Sequence, residues 1–250
     1  MDLRLAGKRA IVTGGSKGIG FAIARSLANE GVDVVIAARS AEALDAAART
    51  LSQETGRKVV GVVTDTGDDD AVQRLVARAV EELGGIDILV NSAATPWSAG
   101  GPKDLAATSD DIVREQVEIK VLGYLRTARA VAPHLVEQGW GRIINISGLG
   151  ARQANSIAQT IRNISVSALT KNLADELGPK GVNVTVVHPG PTRTERSEAD
   201  DARLVKNSIH RVIDASEVAD VVTFLASPRS VAINGDAVAA GGGVAGPVYY

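Results

Sequence analysis

The chain has 250 residues, of which 45% are hydrophobic and 22% are charged, and its net charge is −2. This balance suits one globular α/β domain with a substantial core, and the lack of a basic block argues against nucleic acid as a partner. The sequence has no cysteine, which excludes disulfides and thiolate metal sites, and His134, His188 and His210 form no metal-binding motif. Because no apolar run reaches the roughly 18 residues of a membrane span and the N-terminus lacks the apolar core of a signal peptide, we expect a cytoplasmic protein without membrane or metal partners.

Strand patterns alternate with helix patterns from one end of the chain to the other. The predicted strands lie near residues 9–12, 32–38, 58–64, 86–90, 141–147, 182–187 and 236–239. Helical spacing predicts helices near residues 21–28, 41–54, 68–83, 109–138, 156–177 and 216–226. Helices that join apolar strands imply right-handed crossovers, so we expect a single-domain, doubly wound Rossmann fold, α/β in class, with a mostly parallel seven-stranded sheet and helices on both faces.

Three shorter segments also carry predictions. Asp68, Asp69 and Asp70 are interpreted as the start of a helix and not as metal ligands, because acidic side chains favour a first helical turn. The Gly/Pro/Ser-rich loop 95–107 is long enough to border a site. The polar segment 192–210 is interpreted as a cover over the substrate.

A glycine-rich turn joins the first strand to the first helix. Gly14, Gly18 and Gly20 stand where glycine permits a tight turn and a close approach of backbone to ligand. The N-terminus of the helix presents free N–H groups and a positive dipole end, both of which suit a phosphate. The pattern alone also fits a tight strand–helix turn without a ligand, but its context near the N-terminus favours a dinucleotide site.

The residues that follow the second strand favour NADP(H) over NAD(H). An acidic residue at the end of this strand would accept hydrogen bonds from the ribose hydroxyls of NAD, but Ala38 occupies that position. Arg39 follows, and Lys17 lies in the glycine turn. A pair of cations can neutralise the additional 2′-phosphate of NADP. The alternative for Arg39 is a solvated charge at a strand end.

In this order and spacing, the motifs resemble those of the short-chain dehydrogenase/reductase family over essentially the whole chain. Thr13-Gly14-x-x-x-Gly18-x-Gly20 resembles the cofactor turn, residues 91–94 resemble the Asn-Asn-Ala-Gly motif with two departures, and residues 189–194 resemble the Pro-Gly loop. The resemblance implies hydride transfer between a nicotinamide and a carbonyl or alcohol carbon. It also implies these cofactor-binding residues: Gly14, Ser16, Lys17, Gly18, Ile19, Gly20, Arg39, Asp65, Thr66, Asn91, Ser92, Ala93, Pro189, Gly190, Thr192 and Thr194. For Asp65, which resembles the residue that accepts from the adenine amine, a helix cap is the alternative role.

The family's proton-transfer pair is missing. The family uses a Tyr with a Lys four residues later, but the tyrosines of this chain are Tyr124, Tyr249 and Tyr250, and none begins such a motif. Alignment of the helix places Gln159 and Asn163 at the two positions, and neither side chain transfers protons at ordinary pH. Ser147 matches the family's serine that hydrogen-bonds the substrate oxygen, with a role at the strand end as its alternative.

Lys120 stands where the family has an Asn on the long helix. We hypothesise that its ammonium group lies near Asn163 and restores positive charge there, and that Tyr124, one turn later, supplies a phenol. In the alternative, Lys120 extends to solvent and Tyr124 packs against a neighbouring helix or subunit. His188 is a second candidate acid, with packing at a strand end as its alternative. Arg152 and Arg162 would suit an anionic substrate if they approach the pocket.

These observations predict an NADP(H)-dependent oxidoreductase that acts on a carbonyl, alcohol or related small molecule through an atypical site formed by Ser147, Gln159, Asn163 and Lys120. The alternatives are a non-redox enzyme on the same fold, such as an isomerase, dehydratase or lyase, and a non-catalytic nucleotide-binding protein. The resemblance also implies a homodimer or homotetramer.

Overall fold

The main sheet has seven strands in the order β3-β2-β1-β4-β5-β6-β9, and every neighbouring pair is parallel. The computed structural model describes residues 1–94, 102, 104–154, 156–195 and 207–243. The strands are β1 (Arg9–Thr13), β2 (Asp33–Ala38), β3 (Val59–Val63), β4 (Ile88–Asn91), β5 (Gly141–Ile146), β6 (Val182–Pro189) and β9 (Ala237–Ala240), with a separate pair β7 (Thr192–Arg193) and β8 (Ile213–Asp214). The predicted seven-stranded Rossmann architecture is confirmed.

Helices connect the strands as predicted. They are α1 (Gly18–Asn29), α2 (Ala41–Thr55), α3 (Asp69–Leu83), α4 (Asp110–Val117), α5 (Gly123–Glu137), α6 (Ile157–Leu177) and α7 (Ala215–Ala226). The single long helix predicted for residues 109–138 is interrupted by a π-helical segment, Glu118–Leu122, between α4 and α5. Within the described part of the chain, no helix combines the length and apolar character needed to cross a membrane.

Two apolar layers, one on each face of the sheet, stabilise the fold. On one face, Ile23 and Leu27 of α1 join a buried cluster with Val222 of α7 and Val12 of β1. On the other face, helices α3, α5 and α6 bury side chains against the opposite side of the same strands. Because both faces are covered, the strands are apolar at nearly every position, as parallel strands must be.

The strand order reverses at β1, which pairs with β2 on one side and β4 on the other. At its end, Thr13 is paired with Ala37 and with Asn91. Ligands of doubly wound sheets bind beyond the carboxyl ends of the strands at such a switch point. The glycine turn, which begins directly after Thr13, therefore lies at the place where this fold binds ligands.

Helix caps explain the acidic run near residue 68. The Asp68 carboxylate accepts hydrogen bonds from the backbone N–H groups of Asp70 at 2.9 Å and Ala71 at 3.3 Å, which confirms that this run begins a helix.

The predictions for the loop 95–107 and the segment 192–210 are tested only in part. The border loop is described at residues 102 and 104–107, and the covering segment at residues 192–195 and 207–210; their other residues, and Tyr249 and Tyr250, lie outside the described residues.

Candidate active-site cleft

A cleft of about 990 Å³ opens beyond the carboxyl ends of the central strands. All the predicted cofactor-binding residues except Asn91 line it, and so do all four predicted catalytic residues. The glycine turn, Ala38 and Arg39 lie at one end, which we call the glycine end. Lys120, Ser147, Gln159, Arg162 and Asn163 lie at the other, which we call the lysine end.

Two positions of the turn at the glycine end are packed too closely for any residue other than glycine. Gly14 has a φ of +67°, and a Cβ atom there would lie 2.9 Å from the backbone of Ser92. A Cβ atom on Gly20 would overlap the carbonyl oxygen of Gly14. The turn therefore brings the start of α1 against the end of β1 and leaves the first N–H groups of the helix facing the cleft.

One of these N–H groups already donates a hydrogen bond to an anion. The carboxylate of Glu195 accepts from the backbone N–H of Gly18 through both oxygens, at 2.9 and 3.0 Å. A carboxylate at this position shows that the helix N-terminus is open to a negatively charged group, so the turn fits the phosphates of a dinucleotide. Glu195 was not predicted from the sequence, because its partner lies 177 residues earlier in the chain.

Two cations and one carboxylate line the glycine end of the cleft. Lys17 and Arg39 are exposed, and neither forms an ion pair with any described residue. Asp65 also lines the cleft, and its carboxylate accepts from the N–H of Gly67 at 2.9 Å. The alternative role of Asp65 as a helix cap is wrong, since Asp68 caps α3.

Asn91 differs from the other predicted cofactor residues. It is fully buried, its amide N–H donates to Asn145 Oδ1 at 3.0 Å, and its Oδ1 accepts from Thr127 Oγ1 at 2.7 Å. The side chain therefore joins the ends of β4 and β5 to α5 and does not line the cleft. The neighbouring Ser92 and Ala93 do line it, and their N–H groups donate to Thr13 Oγ1.

Lys120 is the main feature of the lysine end. It lies in the π-helical segment, and only 4% of it is exposed. Its Nζ atom donates to the carbonyl oxygen of Ser147 at 2.8 Å and to Asn163 Oδ1 at 3.2 Å. The predicted contact with Asn163 is therefore present, and the alternative in which Lys120 extends to solvent is wrong.

The charge of Lys120 is destabilised at this position. Burial lowers the pKa of its amine well below the usual lysine value, and the charge of Arg162 lowers it further. A π-turn adds a residue to the helical repeat and so changes which side chains face inward, and such turns are frequent at functional sites. The π-helical segment thus presents a buried amine that holds its proton less tightly than an exposed lysine does.

Ser147 and Arg162 are also buried at the lysine end. The Ser147 hydroxyl donates to the main-chain oxygen of Asn163 at 3.0 Å. Arg162, on α6, donates through Nη1 to Gln116 Oε1 on α4, and only 6% of it is exposed. Gln159, half-buried on the same helix, lines the cleft.

Several further lining residues were not predicted, among them Gly148, Leu149, Gly150 and Gln153. The first three directly follow the Ser147 strand end, so the rule that ligands bind beyond the carboxyl ends of strands was sufficient to identify them. A Cβ atom on Gly150 would lie 3.0 Å from Asn163 Nδ2, so the backbone closely covers the Asn163 amide.

Three other candidates do not line the cleft. The Tyr124 hydroxyl donates to the carbonyl oxygen of Ile146 at 2.9 Å, and burial raises the pKa of this phenol above its ordinary value. His188 is buried with Nε2 3.3 Å from Ser167 Oγ, and burial lowers its pKa to about 4. Arg152 donates to the carbonyl oxygen of Ala237 at 3.2 Å. For Tyr124 and His188, the packing alternatives fit better than the acid roles.

Comparison with known proteins identifies the family. The family model described as enoyl-(acyl carrier protein) reductase matches residues 14–245. The human protein named dehydrogenase/reductase SDR family member 4 is 35% identical over 249 residues, a match that covers 96% of this chain and 88% of that protein. The chain belongs to the short-chain dehydrogenase/reductase family. The coarse prediction of an oxidoreductase of this type is therefore supported.

Solved structures agree with this assignment. A short-chain dehydrogenase from Burkholderia cenocepacia, in complex with NADP, is 36% identical with a TM-score of 0.85, and the match covers 96% of this chain and 98% of that one. L-sorbose reductase from Gluconobacter frateurii, in complex with NADPH and L-sorbose, is 28% identical with a TM-score of 0.90, and the match covers 99% of this chain and 100% of that one. The fold is confirmed, and a nicotinamide cofactor is supported.

Proposed function

We propose that the protein is an NADP(H)-dependent oxidoreductase that acts on a carbonyl or alcohol group of a small molecule and uses Lys120 as its proton donor. The observation that carries this proposal is the position of the Lys120 amine. It is buried, it lines the cleft beside Ser147, and it contacts Asn163, the residue that stands in place of the family's lysine.

Support for the phosphorylated cofactor comes from the glycine end. Ala38 offers no carboxylate to a ribose hydroxyl, whereas Lys17 and Arg39 place two exposed positive charges at the rim of the cleft. These cations would hold a 2′-phosphate, and the N–H groups at the start of α1 would hold the pyrophosphate. When bound, such a cofactor donates or accepts a hydride at its nicotinamide ring.

The side chains at the lysine end then bind the substrate oxygen and supply its proton. Ser147 and Gln159 hydrogen-bond the substrate oxygen, for which the Ser147 hydroxyl turns from the Asn163 carbonyl toward the cleft. In reduction, the Lys120 ammonium gives a proton to this oxygen, and the amine left behind takes a proton from solvent. Among the described side chains at this end, Gln159 and Asn163 have no acidic proton to give, so we assign the role of general acid to Lys120. Its lowered pKa makes the ammonium a stronger acid than an exposed lysine.

Two measurements test the proposal. Titration with NADPH and NADH, followed by fluorescence, should give tighter binding of NADPH. Loss of nicotinamide absorbance against a panel of carbonyl compounds should then identify a reducible substrate. Tight NADPH binding without oxidation by any carbonyl would instead support a non-redox enzyme or a non-catalytic nucleotide-binding protein.

We also propose that the protein is a homodimer or homotetramer. Ile157, Ile161 and Ile164 form an apolar stripe on α6 and are 38%, 38% and 53% exposed. A stripe of this kind suits a helix–helix contact between subunits. Light scattering should give a mass of two or four chains, and Ile164→Glu should shift it toward the monomer. A monomeric wild-type protein would contradict the proposal.

The cytoplasmic location stays a prediction. Microscopy of a fluorescent fusion tests it, with diffuse cytoplasmic signal as the expected result and signal confined to an organelle as the contrary one.

A further inference from the structure

Asn163 contacts both of the side chains that the proposed reaction uses at the lysine end. Its Oδ1 atom accepts from Lys120 Nζ at 3.2 Å, and its main-chain oxygen accepts from the Ser147 hydroxyl at 3.0 Å. The same hydroxyl lies 3.4 Å from Asn163 Oδ1. Only 2% of Asn163 is exposed, so solvent competes little for these contacts. One residue of α6 therefore links the lysine of the π-helical segment to the serine that follows β5.

The surroundings of the Asn163 amide fix its orientation. A lysine ammonium is a donor only, so the amide must turn its oxygen toward Nζ. The Nδ2 atom then faces the backbone after β5, where a Cβ atom on Gly148 would lie 3.3 Å from it and one on Gly150 3.0 Å. Backbone at this distance leaves little room for the amide to rotate. The acceptor for Lys120 is thus held in place by α6 and by the chain that follows β5.

Asn163 supplies this acceptor without supplying a charge. The other acceptor of Lys120 Nζ is the main-chain carbonyl of Ser147, at 2.8 Å, which is also neutral. Among the described residues, no carboxylate forms a hydrogen bond or ion pair with Lys120. The ammonium is therefore oriented by dipoles, and burial lowers its pKa. A carboxylate in place of the amide would instead give the ammonium a counter-ion.

The other titratable groups around Lys120 are the same whichever residue stands at position 163. Among the described residues they are Arg162 on α6, His188 on β6, Tyr124 on α5 and Glu118 in the π-helical segment. His188, with a pKa of about 4, and Tyr124, whose pKa burial raises, are neutral near pH 7. Glu118 pairs with Arg126 at 2.7 Å, and the charged side chains of α4 are exposed. Variants at position 163 therefore isolate the effect of Asn163.

We propose that Asn163 is the positioning residue for proton donation: its amide oxygen holds Lys120 beside Ser147, and its neutrality leaves the Lys120 ammonium without a counter-ion. Asn163 itself exchanges no proton. It acts through Lys120, which gives its proton to the substrate oxygen and, as an amine, still has two N–H groups for its two acceptors. The kinetic consequence of this inference rests on the proposed oxidoreductase function, whereas the electrostatic consequence rests on the contacts of Lys120.

Asn163→Asp tests the inference, because it replaces the amide by a carboxylate of the same shape. In carbonyl reduction with NADPH, kcat should fall above the pKa of Lys120. An opposite charge at this distance raises that pKa, so the falling limb of the pH profile should move up by about one to three pH units. Asn163→Ala removes the acceptor and should lower kcat by about tenfold or more, with NADPH binding little changed.

Asn172→Asp is the matched control. Asn172 is exposed on the same helix and donates to the carbonyl oxygen of Ala168. Nine residues of helix separate it from position 163 by about 13 Å, which exceeds the screening length of about 8 Å in physiological salt. The added charge should therefore leave the falling limb where it is in the wild type.

Carbon-13 NMR of labelled lysines separates this inference from the proposed function. The Cε signal of Lys120, assigned by its absence in Lys120→Met, reports protonation and needs no turnover. Its titration midpoint should rise by about one to three pH units in Asn163→Asp and stay unchanged in Asn172→Asp. A rise without reduction of any carbonyl would support the inference while the oxidoreductase function fails. An unmoved midpoint in Asn163→Asp, or an unmoved kinetic limb in an enzyme that reduces carbonyls, would overturn the inference.

Discussion

The two ends of the cleft differ in the groups that line them: backbone at the glycine end and side chains at the lysine end. At the glycine end, the turn presents backbone N–H groups, and the sequence requirement is for residues that are small enough, such as Gly14 and Gly20. At the lysine end, the lining is formed by particular polar side chains, among them Gln159, Asn163 and Lys120. The comparison teaches that close backbone packing fixes the residue types at one end of a cleft, whereas the other end depends on which side chains its helices bring together.

The largest effect should follow removal of the buried amine. Lys120→Met keeps the length and apolar stem of the side chain but cannot donate a proton, so we expect kcat to fall by about 10²–10⁴-fold. Binding of NADPH should change little, because the glycine end is untouched. Stopped-flow or steady-state absorbance measures the first quantity and fluorescence titration the second.

Tyr124→Phe is the matched control for that variant. It removes one buried hydroxyl four residues from Lys120; this hydroxyl bonds the carbonyl oxygen of Ile146, and Tyr124 itself does not line the cleft. We expect normal turnover and a loss of about 1 kcal/mol in unfolding free energy. If kcat falls equally in both variants, the Tyr124 phenol would again be a candidate proton donor, which would contradict the assignment to Lys120.

A smaller effect should follow at the glycine end. Arg39→Ala should weaken NADPH binding by about 10- to 100-fold, since one charged contact to a phosphate is lost, and should leave NADH binding unchanged. Fluorescence titration of both cofactors measures the split. If the two cofactors weaken together, Arg39 supports the fold of the turn and does not select the 2′-phosphate.

The smallest effect, of opposite sign, should follow from Glu195→Gln. The Glu195 carboxylate bonds the N–H of Gly18, where a cofactor phosphate would compete with it. Glu195 is exposed, so we expect NADPH binding to tighten only about two- to fivefold. Weaker binding in the variant would show that this carboxylate orders the loop and does not compete with the phosphate.

Sequence pattern predicted the fold well because its information is local. Apolar runs and helical spacing located all seven strands of the main sheet within a few residues, and the glycine turn was placed correctly between the first strand and the first helix. The predicted cofactor-binding residues lie directly after the strands, and all but one of them line the cleft. The exception, Asn91, is buried because its partners Asn145 and Thr127 come from other elements.

The lysine end was less predictable because its contacts are distant in sequence. Lys120 bonds residues that lie 27 and 43 positions later, and its inward direction depends on a π-helical segment that no local spacing indicates. The sequence therefore left open whether Lys120 reaches solvent or the cleft. The contact of Arg162 with Gln116, 46 residues earlier, was unpredictable for the same reason.

The pH dependence of carbonyl reduction tests the role of Lys120 most directly. Because Lys120 must be protonated to donate, kcat should be constant at low pH and fall tenfold per pH unit above the pKa of its ammonium, which burial and Arg162 place well below 10.5. In the oxidation direction the same limb should be reversed, with the rate rising to a plateau as pH increases. We predict that Lys120→Met lacks this limb in both directions. A pH profile of Lys120→Met that retains the wild-type limb at the same pKa would contradict the assignment of Lys120 as the proton donor.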